Sequence, residues 1–438
     1  MSHARHTSGG TALPLRVAVL IAHRPNHRGE VGGLAGTWEQ LAQVAGGRPD
    51  LDLTLFFLGD RPARVPYASN VRAVLLPPLL GTERLAFLRT IPTHTDLAPF
   101  HPALFRRLRG FHLLHATDAF YAFAQTALRR ARRDRLPLVV SLQTDTIGWA
   151  RIHTPVILQR LLPWPGFWSW VLERSRLLDW QERAMERRLA RYVRQCRAVF
   201  VSHARDQERV RRLAPQTPFF FLRRGIDLEC FHPRHRDRKA VEARFGLPPD
   251  HLLLLFVGRL DPVKGILIAA EVVQGLVRCG HRVHLLVVGD GAQRQEAARR
   301  LGKHATFTGN LPHRELGSLY ASADLLLFPS EAEVWPNVVI EARACGLAVV
   351  ACARGAAHVM RGHAWDGVLL PNRDPALWTA AVETLLAQPH RLRDMGRRAR
   401  QAVEREMPSW QQVLEEDLLP VWQQVVQQPS MLPPAAGV

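Results

Sequence analysis

The chain has 438 residues, 47% of them apolar, with 31 Pro and 30 Gly spread along its length and a net charge of +19. That balance excludes a disordered or collagen-like chain and leaves room for two or three domains of about 150 residues each. No run approaches the roughly 18 apolar residues of a membrane-spanning helix, and polar Met1–Pro14 lacks the apolar stretch of a signal peptide.

Short apolar runs alternate with helical stretches. In the first half the expected strands are 16–21, 51–58, 71–76, 111–115, 136–142, 198–202 and 219–222. A second series follows at 252–257, 283–288, 306–308, 325–328 and 348–351. This alternation predicts an α/β chain of two doubly wound, Rossmann-like domains built on parallel sheets. The polar, Pro-containing stretch His232–Asp250 is the expected linker. Near the end, Val413, Leu414, Leu418, Val421 and Trp422 recur at helical spacing and predict a helix over 410–424, after which residues beyond Gln428 read as a loose end.

The charge is uneven. Residues 1–200 hold 28 Arg and no Lys against 14 acidic residues. A basic first half implies acidic partners: anionic lipid, a phosphorylated acceptor or nucleic acid. Between Trp149 and Gln195, Trp164, Trp168, Trp170 and Trp180 stand among Arg160, Arg174, Arg176, Arg183, Arg187 and Arg188. Such a mixture reads either as an interfacial helix at a membrane surface or as an aromatic core contact beneath a solvated Arg face. The five cysteines are scattered and form no CxxC pair, which argues against a disulfide frame or zinc site and fits a reducing cytoplasm.

Chemistry concentrates in the second half. In SEAEVWPNVVIEARACG (Ser330–Gly346), Asn337 is placed to cap a helix that Gly346 ends. Glu333 then lies in the loop ahead of the helix and Glu341 just inside it. The helix mouth suits a diphosphate, and the two carboxylates suit hydroxyls of a sugar and a ribose. The loop VGRLDPVKG after the strand 252–257 brings Arg259 and Lys264, two cations able to neutralise a leaving diphosphate. Gly289-Asp290-Gly291 follows the next strand, where small residues let a ribose or base approach the backbone.

Together these elements resemble glycosyltransferase family 4 of the GT-B fold, the group 1 transferases of glycogen-synthase-like or mannosyltransferase-like type. The matching pieces are LFVGRLDPVKG, LLVVGDG, LYASADLLLFPSEAEVWPNVVIEARACGLAVVA, the DGVLLP segment, the junction RRGIDLECFHP (Arg223–Pro233) and, more faintly, the glycine-rich loop GEVGGLAG (Gly29–Gly36). The resemblance implies two Rossmann-like domains facing across a cleft, over 1–230 and 231–408, with a C-terminal helix (409–425) packed back on the first.

It also implies a retaining enzyme that moves a hexose from a UDP- or GDP-sugar to a glycan, lipid or lipid-linked acceptor, without metal or other cofactor. Arg259 and Lys264 would hold the donor diphosphate, Glu333 would lie beside the transferred sugar, and Glu341 would bind the ribose. Gly32, Gly33, Gly258, Gly289, Gly291, Trp335, Pro336, Asn337 and Val338 would contact the donor. Catalysis would rest on stabilising the departing diphosphate rather than on a protein nucleophile. The location implied is cytoplasmic, with peripheral attachment to an anionic inner membrane face.

The chain departs from the family in places. Gln143, within SLQTDT, stands where a His is often found and can only hydrogen-bond. Thr144 and Asp145 match a Thr-Asp pair of a lipid-acceptor subgroup, so Gln143, Thr144 and Asp145 are the acceptor-side candidates. Val334 and Pro336 replace glycines that many members carry, which narrows the donor pocket, and Val359 replaces a frequent Glu.

Other readings fare worse. Asp50-Leu51-Asp52 has the form of a metal-binding DxD but sits at the start of a strand, where a solvated turn is expected. No HExxH, GxxxxGK[ST] or GxSxG is present. A sugar-nucleotide epimerase would share the fold but not need the two cations and two carboxylates. A nucleic-acid-binding protein would explain the charge and leave the C-terminal pattern unexplained; no nucleic-acid partner is expected.

Overall fold

The computed structural model describes residues 13–25, 33–84, 95–161, 176–331, 333 and 335–428. Gly32, Val334, the Trp164, Trp168 and Trp170 cluster, Arg174 and everything after Gln428 lie outside the described residues. The chain divides into two compact units: one holds the start of the chain, Thr37–Arg223 and the segment from Gln411 onward; the other holds Arg224–Trp410 and residues 33–36.

The first unit carries an eight-stranded sheet. In chain order its strands are β1 (Leu15–Ile21), β2 (Leu51–Leu58), β3 (Ala63–Ala68), β4 (Val71–Leu76), β5 (Leu113–Ala116), β6 (Leu138–Leu142), β7 (Ala198–Val201) and β8 (Phe219–Phe221). They lie in the order β3-β4-β2-β1-β5-β6-β7-β8, all parallel except β3, which runs antiparallel to β4. The central parallel strands are buried on both faces, so LRVAVLI and LDLTLFFL read as nearly unbroken apolar runs. Strand β3, ARVPYA, escapes that pattern because it is a half-exposed edge strand that tolerates Pro66.

Helices α1 (Gly33–Ala45), α2 (Pro102–Arg107), α3 (Ala122–Asp134), α4 (Thr146–Leu161), α5 (Leu177–Val193) and α6 (Ala204–Leu213) alternate with the strands. Phe56, Phe123, Leu128, Tyr192 and Val199 fill the core on one side. The described parts of the basic, Trp-containing segment form α4 and α5, with Trp180 exposed and Arg151 paired to Asp179 and Glu182. Asp50, in the turn ahead of β2, pairs with Arg48, and Asp52, inside β2, pairs with Arg72.

The second unit has a six-stranded, wholly parallel sheet of β9 (Leu252–Val257), β10 (Val283–Val288), β11 (Ala305–Gly309), β12 (Leu325–Phe328), β13 (Val349–Cys352) and β14 (Val368–Leu370). Their order is β11-β10-β9-β12-β13-β14. Numbered from β9 that is 3-2-1-4-5-6, the doubly wound order whose direction reverses between β9 and β12. In LLLLFV, Leu253, Leu255 and Val257 face one core and Leu254 and Phe256 the other.

The expected linker His232–Asp250 is instead part of this unit. It forms a 3-10 turn (Pro233–His235) and α7 (Arg238–Phe245), capped by Asp237 on the Ala240 amide and ended by left-handed Gly246. Phe231, Val241 and Leu247 are buried beneath it, so its polarity belongs to a surface helix rather than a spacer. The units change over between Arg223 and Arg224, a few residues earlier than the expected 230. Helices α8 (Ile266–Arg278), α9 (Arg294–Leu301), α10 (Leu316–Ser322), α11 (Asn337–Ala344), α12 (Ala353–Ala356), α13 (Pro375–Leu386) and α14 (Pro389–Glu406) complete it.

The chain ends its described course in a helix that runs through Trp410–Gln412, a π turn at Val413–Leu418 and Leu419–Gln427. Its buried Val413, Leu414, Leu418, Val421 and Trp422 belong to the first unit.

Candidate functional site

In an open doubly wound sheet, ligands bind beyond the carboxyl ends of the strands where the order reverses. In the second unit that point lies between β9 and β12. The loops leaving these two strands are Gly258–Gly265 and Pro329–Pro336, the segments that carry Arg259, Lys264 and Glu333.

The β9 loop is held by its own aspartate. Asp261 accepts the Lys264 amide at 2.9 Å through Oδ1, while its Oδ2 lies 3.2 Å from the Arg259 guanidinium. Arg259 is half-exposed, with 53% of its side chain open to solvent. Lys264 instead turns across to β12: its ammonium contacts Glu333 Oε1, which also accepts the Ser330 hydroxyl at 2.6 Å. Both partners are largely covered, with 24% of Lys264 and 13% of Glu333 exposed. Next comes Gly265, whose φ of +76 forms the N-cap of the thirteen-residue α8. The amides of that first turn and the positive end of the helix therefore add to the field of Arg259 and Lys264.

The loop after β10 is zipped to the β9 loop. The Gly258 amide donates to Val288, Leu260 to Asp290, and Gln293 to Leu260. A Cβ at Gly289 would lie 2.0 Å from the Gly258 carbonyl oxygen, and one at Gly291 would lie 2.6 Å from that of Leu260. On the side where a Cβ would stand, what approaches these glycines is therefore the neighbouring loop's own backbone, which only glycine admits.

Beyond Glu333, Trp335 lies at a ring distance of 6.0 Å from His358. Pro336 takes the N-cap position of α11 and Asn337 is its first residue. Asn337 thus does not cap the helix, because the ring of Pro336 supplies the non-helical entry one residue earlier. Val338 follows in the first turn. Glu341 is a turn deeper and buried, with 4% exposure. Its Oε1 meets His313 Nε2 at 2.8 Å and its Oε2 accepts the Tyr320 hydroxyl at 3.0 Å. His313 packs edge-on against Phe231 at 5.0 Å.

The structure thus joins Lys264 to Glu333 and Arg259 to their loop, and gives Glu341 a separate set of partners. Asp261 and Ser330 were missed from the sequence, although their three-residue spacing to Lys264 and Glu333 is a local signal. His313 and Tyr320 come from distant segments and leave none.

In the first unit, Gln143 is buried at 3% exposure and accepts the Trp38 indole N–H at 3.2 Å. Asp145 accepts the Gly148 amide at the start of α4 and pairs with Arg209 at 3.3 Å. Thr144 lines a small cavity with Thr117, Asp118, Thr146, Asp206 and Arg209. Burial pushes Asp118 up to about 6, against the pull of the Tyr121 and Phe120 amides. Gly33 opens α1 with a φ of +91. Among the described residues, no three His, Cys, Asp or Glu side chains are grouped so as to hold a metal ion. No helix among them is long and apolar enough to cross a membrane.

Residues 237–402 match the family model for "Glycosyl transferases group 1". A D-inositol 3-phosphate glycosyltransferase of Segniliparus rotundus is 37% identical over 182 residues, which cover 40% of this chain and 40% of the relative. The enzyme of that name from Mycobacterium tuberculosis is 32% identical over 198 residues, 44% of this chain and 39% of its own. The chain therefore spans about two fifths of the length of the curated relatives it matches. Among solved structures, sucrose-phosphate synthase of Thermosynechococcus elongatus superposes with a TM-score of 0.66 at 19% identity, over 93% of this chain and 98% of that one. HepE of Anabaena, solved with UDP and glucose, gives 0.63 at 15% identity, over 94% and 100%. At these identities the likeness speaks for the fold, two Rossmann-like units of GT-B type. Residues 237–402, with the switch-point loops in their midst, are thus similar to the glycosyl transferases group 1 family.

Proposed function

We propose that this chain is a retaining glycosyltransferase that takes a hexose from a nucleoside-diphosphate sugar bound by its second unit. The observation that carries the reading is the Lys264–Glu333 contact at the switch point, beside the N-terminus of α8. An ammonium has three donors, so Lys264 can serve Glu333 and a phosphate oxygen at once. Arg259 and the amides of α8 supply the remaining positive field for a diphosphate. Glu333, oriented by Ser330, presents carboxylate oxygens to sugar hydroxyls, and Glu341 does the same for the ribose.

In the transfer, the bond from the anomeric carbon to the diphosphate breaks as the acceptor oxygen bonds the same face. The acceptor proton passes to the departing phosphate. Lys264 and Arg259 favour the step because the negative charge on the leaving oxygen grows in the transition state. No protein nucleophile or metal takes part in this scheme.

The solved neighbours holding UDP and UDP-glucose support a uridine donor, and the curated relatives named for inositol 3-phosphate support an anionic acceptor. A phosphorylated polyol or lipid-linked acceptor, met at an anionic membrane face, agrees with the basic first half. The test is calorimetry and thermal shift with UDP, GDP, ADP and their sugars, using Lys264→Ala as control. Saturation at 100 times Kd should raise stability by about 2.7 kcal/mol. A response to one nucleotide, lost in the variant, supports the site; equal binding by the variant sinks it.

A further inference from the structure

Arg373 belongs to neither loop of the site, and its guanidinium ties the two together. It stands between β14 and α13 on a rigid base. The Asn372 carbonyl accepts the indole N–H of fully buried Trp378 at 2.8 Å, and Asp374 caps α13 on the Ala376 amide at 3.0 Å. From there the side chain reaches back over the switch point. Its Nε donates to the Pro329 carbonyl at 2.7 Å and its Nη1 to that of Pro262 at 2.9 Å, while its Nη2 donates to Val263. Pro329 ends the approach to Ser330 and Glu333, and Pro262 and Val263 immediately precede Lys264. The Ser330 hydroxyl also leans on the Val263 carbonyl, at 3.5 Å.

We propose that Arg373 is the positioning residue of the transfer site, a fork that fixes the Lys264 loop against the Glu333 loop. The inference rests on the function proposed above and assigns Arg373 no contact with donor or acceptor. The physical ground is geometric. Neither loop is part of the sheet ladder at these carbonyls, and a planar guanidinium supplies parallel donors in a fixed fork that a point-charge ammonium cannot reproduce. Release of the fork lets the two loops move apart, and a displacement of about 1 Å at reacting groups costs up to about 100-fold in rate. Because the loops present the groups that act in the transition state, the loss falls on kcat more than on donor KM.

The test compares Arg373→Ala and Arg373→Lys with wild type in donor-saturation kinetics and in amide hydrogen exchange of the unliganded chain. The expected result for Arg373→Ala is a kcat reduced by up to about 100-fold with a smaller change in donor KM. Exchange protection should be lost at the amides of residues 258–261, 263–265 and 330–331 and kept in β9, β12 and α13. Arg373→Lys should recover part of both. Unchanged kcat and loop protection in Arg373→Ala would overturn the proposal. So would protection lost evenly through the second unit, which marks a stability residue only. If wild type transfers from no nucleotide sugar, the proposed function fails, and the exchange comparison alone then decides whether Arg373 clamps the loops.

Discussion

The indole N–H of Trp422 donates to Nδ1 of His115 at 3.1 Å, joining positions 307 residues apart. Both side chains are fully buried, and His115 also stacks on Phe200 at 5.2 Å and meets the edge of Trp38 at 4.9 Å. The C-terminal helix is thus a core element of the first unit. Its π turn is anchored by Arg223, whose guanidinium reaches Asp417 and Glu416 at 2.6 Å each. Replacing Trp422 by Ala should cost about 3–5 kcal/mol, the usual range for a buried large aromatic. Urea unfolding followed at the first unit checks it; a loss below about 1 kcal/mol would show that the helix is a surface strap.

Acidification should separate two buried groups of that unit, His115 and Asp118. Burial pushes His115 down to about 3, so the unfolded chain binds its proton first, and stability falls as pH drops below about 6.5. Burial raises Asp118 to about 6, so the folded chain binds its proton first. That contribution is full below the unfolded carboxylate value of about 3.9 and is lost as pH rises through 6. The two slopes oppose each other between about pH 4 and 6, each near 1.4 kcal/mol per unit. Relative to wild type, Asp118→Asn should therefore lose stability more steeply on acidification, and His115→Phe less. Denaturation midpoints between pH 4 and 7 decide the matter, and parallel curves for all three proteins would contradict it.

Gly289→Ala should disable the donor site from a distance. The added Cβ would lie 2.0 Å from the Gly258 carbonyl, so the β9 loop must shift, and Arg259 and Lys264 with it. Gly246→Ala is the control: its φ of +61, against +126 at Gly289, is an ordinary left-handed conformation, and nothing lies within 4 Å of the new Cβ, which leaves only a strain of about 1–2 kcal/mol. Nucleotide binding measured on both variants should fall only in Gly289→Ala.

His313→Ala removes one of the two partners of a carboxylate that is 4% exposed. With Glu341 freed on one side, donor KM should rise about tenfold while kcat stays near wild type, since ribose contacts are alike in ground and transition states. His313→Gln, which keeps a donor, should recover part of the affinity. A fall in kcat at unchanged KM would place Glu341 in the chemical step instead.

The sheets were legible because parallel strands buried on both faces leave short apolar runs, and all twelve expected runs fall within two residues of observed strands at both ends, with Leu51–Leu58 and Leu252–Val257 among those matched outright. Strand β3 was not, since its Pro66 and half-exposed face carry no such run. The polarity of His232–Asp250 concealed a capped helix whose apolar side is carried by only a few residues, Val241 among them. Lys264, Arg259, Glu333 and Glu341 announced themselves by type and loop position. Arg373 and His313 did not, because each acts through contacts with segments far off in sequence, and a lone cation or imidazole on a loop has no local mark of what it will touch.

The changeover at Arg223 and the return at Gln411 also set an order of events during synthesis. The first unit begins to emerge first, yet Val413, Leu414, Leu418 and Trp422, which are part of its core, follow only after the whole second unit. At about 5–20 residues per second the intervening stretch takes roughly 10–40 s to translate. For that interval the nascent first unit exposes the apolar groove that Trp422 will fill, and by its end the second unit has its full sequence available. The half of the chain that starts earliest is thus the last able to finish folding, and it is the half that a chaperone riding on the ribosome would need to shield.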